Sequence, residues 1–268
     1  MSCKTIGIIS IKGGVGKTTT SVNLANSLCK DFSKKVLLVD ANFSSPNVGL
    51  HLGVMDHVHT SNTVLNDKSQ MHEAIYEHSL GFHVLPASLK ADRVNPLKLK
   101  SKLQAVRKYY DFIIIDSSPS LNDEMLGTIM ASDELFVVST PDLPTLSTTL
   151  RAIKLAKEKN PPIIGLILNK VKGKNYELKM EDIEKAAAVP IIATLPSSYR
   201  VLEALTTVTP ITHHSPLNDV SLEYKRLAGA ICGEVFNEPT KMAKFLSDVK
   251  EDFDNLKNHD FSHGLKYY

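Results

Sequence analysis

The sequence predicts an α/β fold, a doubly wound and mostly parallel sheet flanked by helices. Three observations predict it. Short Val/Ile/Leu-rich runs alternate with helical patterns from end to end, which is how βαβ units read. A glycine-rich octet separates the first apolar run from the first helical pattern. Two later runs each end on an aspartate, at the sheet edge where open α/β folds bind ligands.

In chain order, strands are expected at residues 6–11, 35–40, 82–86, 112–116, 134–140, 163–169 and 190–195. Each is a continuous apolar run, as strands buried on both faces require. Helices are expected between and after them at residues 19–30, 96–109, 122–131, 143–159, 176–187, 200–205 and 217–236. Crossovers of this kind are right-handed almost without exception, so helices cover both faces of one sheet. No repeat, low-complexity segment or linker interrupts the pattern before about Pro239. The chain therefore divides into a domain at 1–238 and a tail at 239–268.

The octet Lys12-Gly13-Gly14-Val15-Gly16-Lys17-Thr18-Thr19 carries the most specific chemistry. Its glycines let the backbone turn tightly with N–H groups inward, a concavity suited to phosphate oxygens. Lys17 is placed to reach the β- and γ-phosphates, and the Thr18 hydroxyl to ligate Mg²⁺. The helix that follows adds the positive end of its dipole. One feature departs from the general phosphate-loop pattern. Ile11 stands where a first glycine is usual, and a second lysine, Lys12, heads the loop. Further on, Val36-Leu37-Leu38-Val39-Asp40 and Phe112-Ile113-Ile114-Ile115-Asp116 each place a carboxylate at the end of a strand. Asp116 has the setting of an acid that holds Mg²⁺ through water or through Thr18.

These motifs, in this order, resemble the MinD/ParA family of deviant Walker A ATPases, whose likeness covers roughly residues 4–236. Asn47–Leu50 and Leu85–Ser88 lean toward its MinD-like members. The resemblance implies a P-loop NTPase fold that binds ATP and Mg²⁺ and hydrolyses ATP. It implies that Lys12 crosses a homodimer interface to the partner's nucleotide while Lys17 serves its own. Asp40 matches the first acid of the family's second motif, near the metal's water shell. The second acid, which holds the attacking water, is here Asn42, so hydrolysis is expected to be slow without an effector. Asn169 matches the family's adenine-reading residue, and Pro196 a loop that packs over the base. The catalytic set is then Lys12, Lys17, Asp40, Asn42 and Asp116. The nucleotide set is residues 12–19 with Asn169 and Pro196, and the metal set is Thr18, Asp40 and Asp116. Asp123 and Glu124 are alternative acids for the role that Asn42 lacks.

Composition bounds the partners. The chain has 268 residues, 43% of them hydrophobic and 22% charged, with a net charge of +2. That balance gives no global field for nucleic acid. Cys3, Cys29 and Cys232 are odd in number and far apart, which suits a reducing cytoplasm and forms no Cys-x-x-Cys pair. No signal-peptide pattern or membrane-length apolar run occurs, so a cytoplasmic protein is expected. Paired cysteines are wanting for an Mrp-type iron–sulfur carrier or a nitrogenase iron protein, whereas a ParA-type DNA-partition ATPase, the alternative reading, would need a basic patch. Tyr267 and Tyr268 hint at a tyrosine kinase on the same scaffold, but that loop lacks the Lys12 signature. The pairs His57/His59 and His213/His214 come with no ligand set. In the tail, Met242, Phe245, Leu246, Val249, Phe253 and Leu256 form one apolar helical stripe. Its polar side balances four lysines with four acids, which favours docking on protein over anionic lipid. A peripheral membrane contact through it stays open.

Overall fold

The computed structural model describes residues 3–55, 57–90, 92–159 and 161–240. The predicted tail helix, and most of the predicted 239–268 segment, lie outside the described residues. Eight strands build one sheet: β1 (Lys4–Ile9), β2 (Val36–Ala41), β3 (Tyr76–Glu77), β4 (His83–Leu85), β5 (Phe112–Ser117), β6 (Glu134–Ser139), β7 (Ile163–Val171) and β8 (Ile191–Pro196). Their order is β3-β4-β2-β5-β1-β6-β7-β8. All neighbours are parallel except the β3–β4 pair, so the sheet is mostly parallel as expected.

The helices are α1 (Lys17–Lys30), α2 (Val48–Leu52), α3 (Ser61–Leu65), α4 (Met71–Ala74), α5 (Leu99–Gln104), α6 (Asp123–Ala131), α7 (Leu143–Glu158), α8 (Met180–Ala187), α9 (Arg200–Thr206), α10 (Ile211–His214) and α11 (Asp219–Cys232). Alternation along the strands divides the core between the two faces. Ile6, Ile8, Leu38, Ile114, Phe136 and Val138 pack with α1 and α11 residues such as Leu24, Leu28 and Leu227. On the other face, Leu37, Val39, Ile113 and Ile115 pack with Val64, Leu99 and Leu103. Ile9, Val137 and Leu168 there meet Met125, Ile129, Ile153 and Ile183.

Several boundaries differ from the sequence expectation. The first strand is Lys4–Ile9, and Ile11 belongs to the loop instead. The helix expected over 96–109 is broken into a 3₁₀ turn (Pro96–Lys98), α5 and a second 3₁₀ turn (Arg107–Tyr109). Arg107 explains the second break. Its guanidinium donates to Thr5 Oγ1, Cys3 O and Asp133, pinning the chain beside β1 just before β5. The helix expected from residue 176 begins at Met180, because Glu177 instead folds back to accept the N–H groups of Lys172 and Lys174.

Because the strands are parallel, the C-terminal ends of β1, β2, β5, β7 and β8 share one edge. That edge collects the octet, Asp40, Asp116, Asn169 and Pro196.

Candidate nucleotide site

A cavity of about 630 Å³ opens at this edge, within the size range of small-molecule sites. Gly13, Gly14, Gly16, Lys17, Thr18 and Thr19 form one wall. Asn42, Ser117, Asn169 and Pro196 line it as well. Gly16 sits at φ 102° as the residue before α1, a conformation open to glycine. A Cβ there would stand 2.1 Å from the Asn169 amide nitrogen, so the close approach also demands glycine.

Lys17 and Lys12 leave the same loop in different directions. Lys17 is buried, with Nζ 3.5 Å from the Lys12 carbonyl oxygen. Burial lowers its pKa, and the Asp116 carboxylate works against that shift. The Lys12 side chain is 41% exposed; its Nζ donates to Thr145 Oγ1 at 2.6 Å and lies 3.4 Å from Asp142 Oδ1. It lines a separate cleft of about 340 Å³ with Asp142, Lys170 and Tyr176. Burial opposes ionisation of Asp142, but hydrogen bonds from Thr140 and Thr145 and the Lys12 charge hold it down to about 2.

The two strand-end acids are register partners across the β2–β5 ladder. Asp116 is fully buried and accepts from Thr18 Oγ1 at 2.6 Å and from Ser21 Oγ at 3.0 Å. Burial raises its pKa, against the pull of Thr18, Lys17, Ser21 and His51. Asp40 is fully buried too. Burial and the neighbouring Asp116 charge push it up to about 7, although the N–H groups of Asn42, Asn47 and Val48 donate to its oxygens. Those bonds make Asp40 the organiser of the loop leading into α2. Asn42 Nδ2 donates to Ser45 O, which fixes the amide; its Oδ1 is buried and has no protein partner.

The residues present fit a magnesium nucleotide. A loop of backbone donors, a buried lysine, a hydroxyl on a buried acid and the Asn42 side chain surround one cavity. Asn169 lines it with its amide engaged by the loop: Nδ2 donates to Val15 O at 2.7 Å, and Oδ1 accepts the Lys170 N–H. Pro196 stands on the same side as Val201, Leu202 and Leu205, an apolar wall suited to a base. Glu124 is raised in pKa by burial and accepts from Ser44 Oγ at 3.1 Å. Asp123 is exposed. His57 stacks on Tyr76 at 3.7 Å and His59 bonds Ser69, and neither lines this cavity.

Sequence reasoning missed Lys170, His51, Leu202 and Tyr224, all lining the cavity. Tyr224 reaches it from α11, its hydroxyl 3.3 Å from Thr20 Oγ1. No local motif marks a residue that arrives by folding over two hundred positions.

Fold and site together define a P-loop nucleotide-binding protein. Comparisons with known proteins narrow the class. An AAA domain family model matches residues 3–164. An uncharacterized ATP-binding protein of Methanocaldococcus jannaschii is 34% identical over 242 residues, 89% of this chain and 91% of its own. The septum site-determining protein MinD of Thermotoga maritima is 31% identical over 262 residues, covering 92% of this chain and 96% of its own. Among solved structures, the Pyrococcus furiosus cell division ATPase MinD aligns with a TM-score of 0.81 at 28% identity, over 86% of this chain and 98% of that one. MinD of Pyrococcus horikoshii, solved with Mg-ADP, aligns with a TM-score of 0.81 at 27% identity, over 85% and 96% of the two chains. The chain belongs to the MinD/ParA family of P-loop ATPases.

Proposed function

We propose that the protein is an ATP-dependent dimerisation switch. It binds MgATP, closes as a homodimer, presents a surface to an effector or cargo adaptor, and separates after hydrolysis. The observation that carries this reading is the opposite placement of the two loop lysines. Lys17 is buried at its own cavity, whereas Lys12 is held outside it in a neighbouring cleft. A charge kept out of its own site is available to a second copy's.

In this scheme the loop N–H groups and Lys17 bind the phosphates. Mg²⁺ would be held by Thr18 with Asp116, with Asp40 beside them, and supplies charge neutralisation on the transferring phosphoryl group. The Asn42 amide oxygen can orient a water but cannot take its proton, so turnover is slow until an effector acts. Asn169 and Pro196 face the base. Relatives named for septum site determination make positioning of division machinery the role we infer. The balanced net charge speaks against nucleic acid as the working surface. No described helix is long and apolar enough to cross a membrane.

Light scattering with a non-hydrolysable ATP analogue tests the switch. Wild type should become a dimer, and Lys12→Ala should stay monomeric while keeping calorimetric ATP binding. An unchanged dimer fraction in Lys12→Ala refutes the trans role.

A further inference from the structure

We propose that the chain's own tail, residues 241–256, docks on an apolar ridge of α9 at the rim of the nucleotide cavity. The tail lies outside the described residues; the ridge, the path toward it and the tail's sequence together name it as the occupant. Tyr199, Leu202 and Leu205 recur every third residue along α9, the spacing at which helical side chains are neighbours. Tyr199 and Leu202 are 62% and 66% exposed, and Leu205 and Val208 are exposed as well. The water-facing side of a surface helix is ordinarily polar, so a row of large apolar side chains there marks a contact surface. Leu202 and Leu205 also line the nucleotide cavity, on the side of Pro196.

The chain is already heading there when it leaves the described residues. α11 ends at Cys232, and Gly233, at φ 70°, turns the backbone, with the Glu234 N–H bound to Gly229 O at 2.8 Å. By Glu238 the chain lies back alongside the middle of α11, where Glu238 Oε1 accepts from Arg226 Nε at 2.7 Å. Arg226 also holds Glu223, and Glu223 accepts the Thr194 N–H of β8 at 3.0 Å. β8 ends at Pro196 and leads straight into α9. At the far end of α11, Val220 and Tyr224 line the same cavity as Leu202 and Leu205. Between Arg226 and the start of α11 at Asp219 remain about 10 Å, at 1.5 Å per residue.

The tail carries the complementary surface. Met242, Phe245, Leu246, Val249, Phe253 and Leu256 fall on one helical face, about 22 Å long at 1.5 Å per residue. Met242 follows Glu238 by four positions, within about 14 Å even of extended chain, so the start of the stripe is in reach of the ridge. A tethered segment meets its site at an effective concentration on the order of a millimolar, an advantage that a second copy lacks. The balanced charge of the tail gives anionic lipid little hold on it. Docked there, the tail backs the apolar wall on which a base would rest.

Hydrogen exchange of the full chain without nucleotide, read by mass spectrometry on peptides from residues 241–256, tests the docking. Wild type should protect these amides about tenfold or more, equally at low and high protein concentration. Tyr199→Ser combined with Leu202→Ser should abolish that protection. Both side chains are mostly exposed, so exchange in β1 and β5 should stay as in wild type. Phe245→Ser combined with Leu246→Ser should release the tail in the same way. An unprotected wild-type tail overturns the proposal, and so does protection that survives the α9 variant. Protection that fades on dilution would give the ridge to a second copy. Protection found only with phosphatidylglycerol vesicles would give the tail to a membrane, and either result overturns intramolecular docking.

Discussion

On the proposed reading, Asn42 is the residue on which the rate of hydrolysis turns. Its backbone N–H donates to Asp40 Oδ1, its side-chain nitrogen is bound to Ser45 O, and its Oδ1 is buried without a partner. An unpaired buried acceptor costs free energy in the resting protein and is tolerated where a ligand will satisfy it. A water held there would be oriented but not deprotonated. Loss of a general base typically slows a reaction by about 10²–10⁴, though phosphoryl transfer depends mainly on positioning and charge. Asn42→Asp should therefore accelerate single-turnover ATP hydrolysis tenfold or more, about 1.4 kcal/mol of barrier. The same change sets a third carboxylate beside Asp40 and Asp116 and deletes the donor to Ser45, so it should lower the melting temperature without nucleotide. No acceleration in a variant that still binds MgATP would assign the water to another group, with Glu124, a half-buried acid bonded to Ser44, a candidate.

At the scale of elements, α10 is a helix that tertiary structure imposes. It has four residues, too few to persist alone. Asn23 of α1 holds it: Oδ1 accepts from Thr212 N and Thr212 Oγ1, both at 3.0 Å, while Nδ2 donates to Thr19 O. Asn23→Ala would gain roughly 0.5 kcal/mol in helix propensity but strand buried donors worth about 1–3 kcal/mol. The loss wins, and a fall in melting temperature of a few degrees is expected for a domain of this size. A variant as stable as wild type in thermal melts would mean that α10 is held by its apolar contacts alone. This explains what the sequence made legible and what it did not. The seven long apolar runs announced seven strands because their burial on both faces is written in every residue. The two-residue β3, polar and at the edge, carries no such pattern. Nor do α2 and α3, whose starts are fixed by the Asp40 carboxylate and by a Thr60 cap. The octet, Asp40 and Asp116 were readable because each is a local motif. Lys170, at φ 59° in β7, was not, because a left-handed lysine leaves no mark on composition or period.

For the whole molecule, the question is what dimerisation must undo. In the monomer each Lys12 rests on its own α7, between Thr145 Oγ1 and the Asp142 carboxylate. If Lys12 serves a partner's nucleotide, closing one dimer breaks two such contacts. The Lys12–Asp142 pair is about half exposed, with side chains 41% and 45% accessible. Exposed pairs of this kind contribute about 0.2–1 kcal/mol, less at high salt. Two of them should oppose association by about 0.4–2 kcal/mol, a factor of roughly 2 to 30 in the dimer constant. Asp142 also caps α7 by accepting the Thr145 N–H at 2.9 Å, so alanine would damage the helix as well as the pair. Asparagine keeps a cap acceptor and removes the charge. Asp142→Asn should therefore dimerise several-fold more tightly with a non-hydrolysable ATP analogue, measured by sedimentation across protein concentration. The gain should shrink as salt rises, because the pair it abolishes is itself screened. Equal or weaker dimerisation at low salt, with nucleotide affinity unchanged, would mean that releasing Lys12 sets no threshold for the switch.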